Sequence, residues 1–236
     1  MRTALTITRR ELSGYFASPI AYLVAAAFLA ISGYLFALIL INSQQATLEN
    51  LFFNINVILL FVAPLLTMRL LADEQRSGTI ELLLTAPVRD WEVVLGKFLA
   101  ALALFGAMLL CTLYYPLVLW RLGGHPDPGP IVTGYLGLLL LAAAMFSLGT
   151  LASALTENQI VAAVVAFGML LLLWLIGGAG NIAPGAAGVL TALSLPGHFD
   201  DFARGAINLE DVVYYLSLML GGLFIATRML ETRRYR

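Results

Sequence analysis

Residues 20–41 contain no charged side chain and almost no polar one, and five more apolar runs follow at 51–71, 97–119, 131–155, 160–176 and 212–227. A helix rises about 1.5 Å per residue, so most of these runs can cross about 30 Å of hydrocarbon. In hydrocarbon every backbone N–H and C=O must be paired inside the segment, which a helix alone achieves for single runs. A soluble domain could bury one such helix, but not six. The chain is 61% hydrophobic and only 11% charged, whereas a soluble domain carries about a quarter charged residues. These observations predict an all-α, polytopic membrane protein of six transmembrane helices, forming a single transmembrane domain over residues 1–236.

The polar residues organise what lies between the runs. On a helical wheel over residues 1–17, Met1, Leu5, Thr8, Leu12, Tyr15 and Phe16 share one arc, and Arg2, Thr6, Arg9, Arg10 and Ser13 share the opposite one. Ile7 and Glu11 break the pattern. This predicts an amphipathic interfacial helix in the headgroup plane, its arginines toward anionic membrane lipid. The rival is a signal peptide; the apolar run that follows is too long for one and lacks an Ala-x-Ala cleavage site. Arg69 and Lys97, at the ends of the second and third runs, are placed to snorkel. Residues 121–130 read as a turn rich in Pro and Gly, and 156–159 as a very short turn. In 177–211 the apolar piece 186–195 is too short to span and reads as a re-entrant or surface helix. The sixth run is shorter than ideal, with Tyr214 and Tyr215 as interfacial anchors.

Orientation follows from the basic residues. With the N-terminus inside, Arg2, Arg9, Arg10, Arg69, Arg76, Arg89, Lys97, Arg228, Arg233, Arg234 and Arg236 lie on the cytoplasmic side, leaving Arg121 and Arg204 outside. That asymmetry predicts a multi-pass protein with both termini cytoplasmic. Residues 73–92 and 156–159 then become the cytoplasmic loops between spans.

The loop 73–92 is the one long polar interruption, carrying Asp73, Glu74, Arg76, Glu81, Arg89, Asp90 and Glu92. Within it, Gly78 can serve as N-cap, with Glu81 three residues on, facing the positive end of the helix dipole. Pro87 stops the helix after Ala86. The result is a rod roughly 12 Å long, with Ile80, Leu83 and Leu84 on one stripe, suited to a groove on a partner.

Glu74-x-Arg76-x-Gly78-Thr79-x-Glu81-Leu82-Leu83-Leu84-Thr85-x-Pro87, followed by Val94-Leu95-Gly96-Lys97-Phe98, resembles the signature of ABC-2-type transporter permeases. Residues 18–24, 155–161 and 204–205 before 211–214 resemble the gliding-motility-associated (GldF-like) branch of that family. The resemblance implies an ABC-2 or type V exporter-like fold and a permease subunit driven by a separate cytoplasmic ABC ATPase dimer. That partner would bind the ATP and Mg; no cofactor belongs to this chain. It further implies a coupling helix at 78–86, with Glu74, Arg76, Gly78, Thr79, Glu81, Leu82, Leu83 and Pro87 docking the ATPase. Thr156, Glu157, Asn158 and Gln159 would form a secondary coupling turn, and a second permease copy or a related permease would complete the transporter.

Other chemistry finds little footing. Gly96-Lys97-Phe98 lacks the upstream glycine and the hydroxyl of a phosphate-binding loop. His125 and His198 stand in separate loops, and a metal shared with Asp127, Asp200 or Asp201 is far less expected than ordinary loop roles. No catalytic constellation supports an intramembrane enzyme, and the spans carry almost no ionisable residue for a proton relay. A net charge of −1 argues against nucleic acid. Cys111 stands alone inside an apolar run, as filler. The alternative is a mechanotransmitting scaffold that passes ATPase-driven motion to an extracytoplasmic accessory protein through 177–211 without moving a substrate.

Overall fold

The computed structural model describes residues 2–43, 47–78, 89–179 and 187–234, and the regular structure among them is all helical. In order the helices are α1 (Arg2–Ala17), α2 (Pro19–Ser43), α3 (Glu49–Thr67), α4 (Ala72–Arg76), α5 (Asp90–Cys111) and α6 (Tyr114–Arg121). Then come α7 (Pro128–Leu155), α8 (Gln159–Ala179), α9 (Ala187–Ala192), a 3₁₀ turn (Gly197–Phe199), α10 (Asp200–Arg204) and α11 (Leu209–Arg234). Among the described residues six helical stretches are long and apolar enough to cross a membrane: α2, α3 with α4, α5 with α6, α7, α8 and α11. The fold is therefore an all-helical polytopic one.

Helix ends depart from the hydropathy pattern where polar residues favour helix. The third stretch begins at Asp90 rather than Lys97, with Asp90 and Glu92 in its first turn, where carboxylates meet the positive helix end. It breaks at Thr112, whose hydroxyl bonds the Leu109 carbonyl at 2.7 Å, and Pro116 then sits in the first turn of α6, where its missing N–H costs nothing. The sixth stretch, expected to be short, is a helix of 26 residues with Glu210 and Asp211 in its first turn.

Burial separates the helices into two groups. The apolar windows of α3, α5 with α6, and α7 are 61%, 61% and 67% buried, against 22%, 17% and 22% for α2, α8 and α11. Helix α7 sits at the centre because small residues line it. A Cβ on Gly149 would collide with the Thr67 side chain of α3, and one on Gly222 of α11 would meet Ser147 Oγ at 2.7 Å. Such positions let backbones approach closely where lipid provides no hydrophobic drive. Edge-to-face pairs Phe28–Phe105 and Phe105–Phe146, at 5.8 and 5.7 Å, join α2, α5 and α7 in the geometry aromatic rings prefer.

Helix α1 lies across the start of α5. Thr8 Oγ1 donates to the Gly96 carbonyl at 3.0 Å, and a Cβ on Gly96 would stand 2.9 Å from both Ala4 O and Ile7 Cβ. The residues that broke the sequence wheel thus have a second surface to serve: Ile7 is buried against the bundle and Glu11 reaches Lys97. Leu5 and Phe16 remain exposed, at 65% and 50%, leaving an apolar stripe beside the protein-facing one.

At the bundle's other end the chain from α9 to α10 caps α7, α8 and α11. Thr133 Oγ1 donates to Phe202 O at 2.7 Å, and Leu195 N to Leu173 O at 3.1 Å. Gly205, at φ +98°, stops α10, a conformation glycine adopts without strain.

Candidate coupling surface

The described polar residues between α3 and α5 collect at the bundle end where α1 lies and α11 finishes. After Thr67 the backbone turns, and the N–H groups of Leu71 and Ala72 both donate to Ser153 Oγ at 3.0 Å. Ser153 in turn donates to Met68 O at 3.0 Å, so one hydroxyl near the end of α7 satisfies the free amides at the start of α4. Gln75 Nε2 donates to Ala154 O at 3.1 Å. Helix α4 is thereby held against the end of α7.

The turn expected to act as a secondary coupling element lies beside it. Thr156 leaves α7 in extended backbone, and Asn158 Oδ1 accepts from Ile160 N at 2.9 Å, capping α8. Gln159 Nε2 donates to Asp73 Oδ1, and Asp73 also pairs with Arg69 at 3.1 Å. Glu157 is exposed. Residues far apart in the sequence, Asp73 to Gln75 and Thr156 to Gln159, therefore form one surface.

A buried charge cluster supports this surface from the other side. Lys97 Nζ lies 2.9 Å from Glu74 Oε1 and 3.1 Å from Glu11 Oε1, with its side chain only 3% exposed. Lys97 was expected to snorkel; it turns inward because two carboxylates meet it there. Arg10 adds contacts of 3.1 Å to Glu11 and 3.5 Å to Glu74. Burial pushes the Glu11 carboxyl up, but Lys97 and Arg10 outweigh it and hold the group below the usual carboxylate range. Arg69, also read as snorkelling, is half-buried against Asp73.

Of the residues proposed to dock the ATPase, Glu74 thus faces the cluster, while Arg76 is exposed at the end of α4. Gly78 has φ +69° and its N–H donates to Gln75 O at 3.3 Å. It ends α4 in the left-handed conformation common after a helix, where an N-cap requires extended backbone. The rod expected over 78–86, with Thr79, Glu81, Leu82, Leu83 and Pro87, lies outside the described residues from 79 onward. Glu11, Gln75, Lys97 and Ser153 were not singled out by the sequence for this surface. Glu11 stood out only as a break in the amphipathic wheel, and Lys97 only as part of the permease signature and the first residue of the third apolar run.

Among the described residues no three of His, Cys, Asp and Glu come together to hold a metal. A family model described as ABC-2 family transporter protein matches residues 16–217. The chain belongs to the ABC-2 transporter family. A comparison with curated proteins finds no match. Membership makes the chain a multi-pass permease component of an ABC transporter, a family whose members are not themselves catalytic and normally work with a cytoplasmic ABC ATPase.

Proposed function

We propose that this ABC-2 permease couples ATP hydrolysis by a separate cytoplasmic ATPase dimer to substrate movement across the inner membrane, and that the surface around α4 is where the ATPase docks. The observation that carries the reading is the joining of two loops: α4 is fixed to the 156–159 turn through Asp73–Gln159, and to the end of α7 just ahead of that turn through Gln75–Ala154. A push on the segment after α4 then reaches α7 through Ser153 and α5 through Lys97. Such rigid linkage is what a docking element needs to move helices as bodies.

Within this reading, Arg76, Gly78, Thr79, Glu81, Leu82, Leu83 and Pro87 meet the ATPase, with Thr156 to Gln159 as the secondary contact. Glu74 acts as a support for that element. The exposed sides of α2, α8 and α11 face lipid or a second permease copy. The resemblance of 18–24, 155–161 and 204–205 before 211–214 supports assignment to the gliding-motility-associated branch, and the distribution of basic residues supports two cytoplasmic termini.

Cysteine cross-linking tests the proposal. In a Cys111→Ser background, Arg76→Cys and Glu157→Cys are expected to cross-link to the co-expressed ATPase, and Trp120→Cys, at the opposite end, is not. Cross-linking from position 120 alone would overturn both the docking surface and the orientation.

A further inference from the structure

The bundle end away from α4 holds a buried pair of ionisable groups that ATPase docking leaves unused. His198, in the 3₁₀ turn, and Asp211, in the first turn of α11, are both buried. We propose that His198 is a proton-operated latch fastening the segment from α9 to α10 onto α11, closed when the imidazole is doubly protonated and loosened when it is neutral.

The hydrogen-bond inventory carries the proposal. His198 Nδ1 lies 2.7 Å from Asp211 Oδ1, and Nε2 lies 3.1 Å from Ala192 O. A backbone carbonyl and a carboxylate both accept, and a neutral imidazole has one N–H to offer two acceptors. It must leave one nitrogen lone pair facing an oxygen lone pair. One added proton on the pair satisfies both contacts at once. The neighbouring hydroxyls cannot substitute, since Tyr214 and Tyr215 donate to Leu193 O at 2.7 Å and Leu195 O at 2.8 Å. The Tyr214 ring stacks on the imidazole at 4.0 Å and 22°, fixing its plane.

Charged and titratable groups stand on several of the elements around the latch. From the segment itself come Asp200, Asp201 and Arg204, and from α11 Glu210 and Asp211 with Tyr214 and Tyr215. Helix α3 brings Glu49, 3.7 Å from Arg204, and Asp127, ahead of α7, lines the recess beside it. Helices α7, α8 and α9 carry no Asp, Glu, Lys, Arg or His, and Tyr135 is their one tyrosine. The pieces the latch joins are those over the ends of α8 and α11: Leu195, between Ala192 and His198, donates its N–H to Leu173 O of α8. Losing the proton costs one end of this strap its anchor. The closure of that face then depends on the pH of the compartment it meets.

The sign is that of a group needing its proton in the folded contact: the strap is tighter at low pH and looser at high pH, and the range to scan is about pH 5 to 8, where an imidazole can change charge. Hydrogen exchange of the full-length protein in lipid nanodiscs, corrected for intrinsic rates, reads it out at the amides of Ser194, Leu195 and Phe199. Their protection is expected to fall about tenfold across that range, the size of one charge-assisted hydrogen bond, while α7 amides stay constant. His198→Gln and Asp211→Asn are each expected to abolish the pH dependence. Tyr214→Phe, which removes a hydrogen bond without touching the proton, is expected to lower protection and keep the dependence. Unchanged protection across the range in the unmodified protein, or a dependence that survives His198→Gln, overturns the latch.

Discussion

Lys97→Met removes the one buried cation of the cluster at the coupling surface and leaves Glu11 and Glu74 facing each other. At about 3 Å and an effective dielectric of about 20, each ammonium–carboxylate contact is worth about 5 kcal/mol before desolvation. Desolvating the lysine cancels several kcal/mol of that. Truncating one partner of such a buried pair costs about 3–5 kcal/mol, because the remaining charge is left uncompensated. Arg10 stays within 3.5 Å of both carboxylates, but at 62% exposure it restores only about 1 kcal/mol. The expected loss is therefore about 2–4 kcal/mol. SDS-driven equilibrium unfolding in mixed micelles, followed by tryptophan fluorescence, measures it. Adding Glu11→Gln and Glu74→Gln to Lys97→Met removes the stranded charges and should recover stability to within about 1 kcal/mol of the unmodified protein. A loss below about 0.5 kcal/mol for Lys97→Met, the size of an exposed pair, would refute the reasoning.

Two further outcomes are expected of the same surface. Ser153→Ala strands the amides of Leu71 and Ala72, and should cost about 1–3 kcal/mol and speed proteolysis between α4 and α5, which limited trypsin digestion reports. Glu11 is held below its ordinary 4.5, so the stabilisation it provides is present above that value and disappears as pH falls through the lowered one. The stability difference between the unmodified protein and Glu11→Gln should accordingly be full near neutral pH and vanish in strong acid, which the same unfolding assay tests.

The membrane-spanning framework was legible because hydrocarbon imposes a length and a charge rule that each run obeys by itself. Local electrostatics set the helix ends the hydropathy pattern missed, as Asp90 and Glu92 do for α5. On α1 the wheel recognised one apolar arc, but the helix faces both protein and a further surface, so Ile7 and Glu11 looked misplaced until α5 was beside them. The charge cluster was illegible for a different reason. Glu11 and Lys97 are 86 residues apart, and nothing local distinguishes a lysine that snorkels from one that turns inward to two carboxylates. Gly78 shows the limit of spacing arguments: glycine three residues before glutamate fits an N-cap, yet its φ of +69° serves the end of α4.

Seating of the ATPase on the segment following α4 is read out by co-purification of the ATPase with point variants. Leu83→Asp introduces a carboxylate into the apolar stripe proposed to enter the partner, a penalty of several kcal/mol if fully desolvated. Leu218→Ala changes a partly buried residue within α11, whose carbonyl accepts from Ser147 Oγ of α7. At equal membrane expression, the account predicts loss of the ATPase from the Leu83→Asp protein and its retention by the Leu218→Ala protein. Retention of the ATPase by the Leu83→Asp protein as tightly as by the unmodified chain would contradict it.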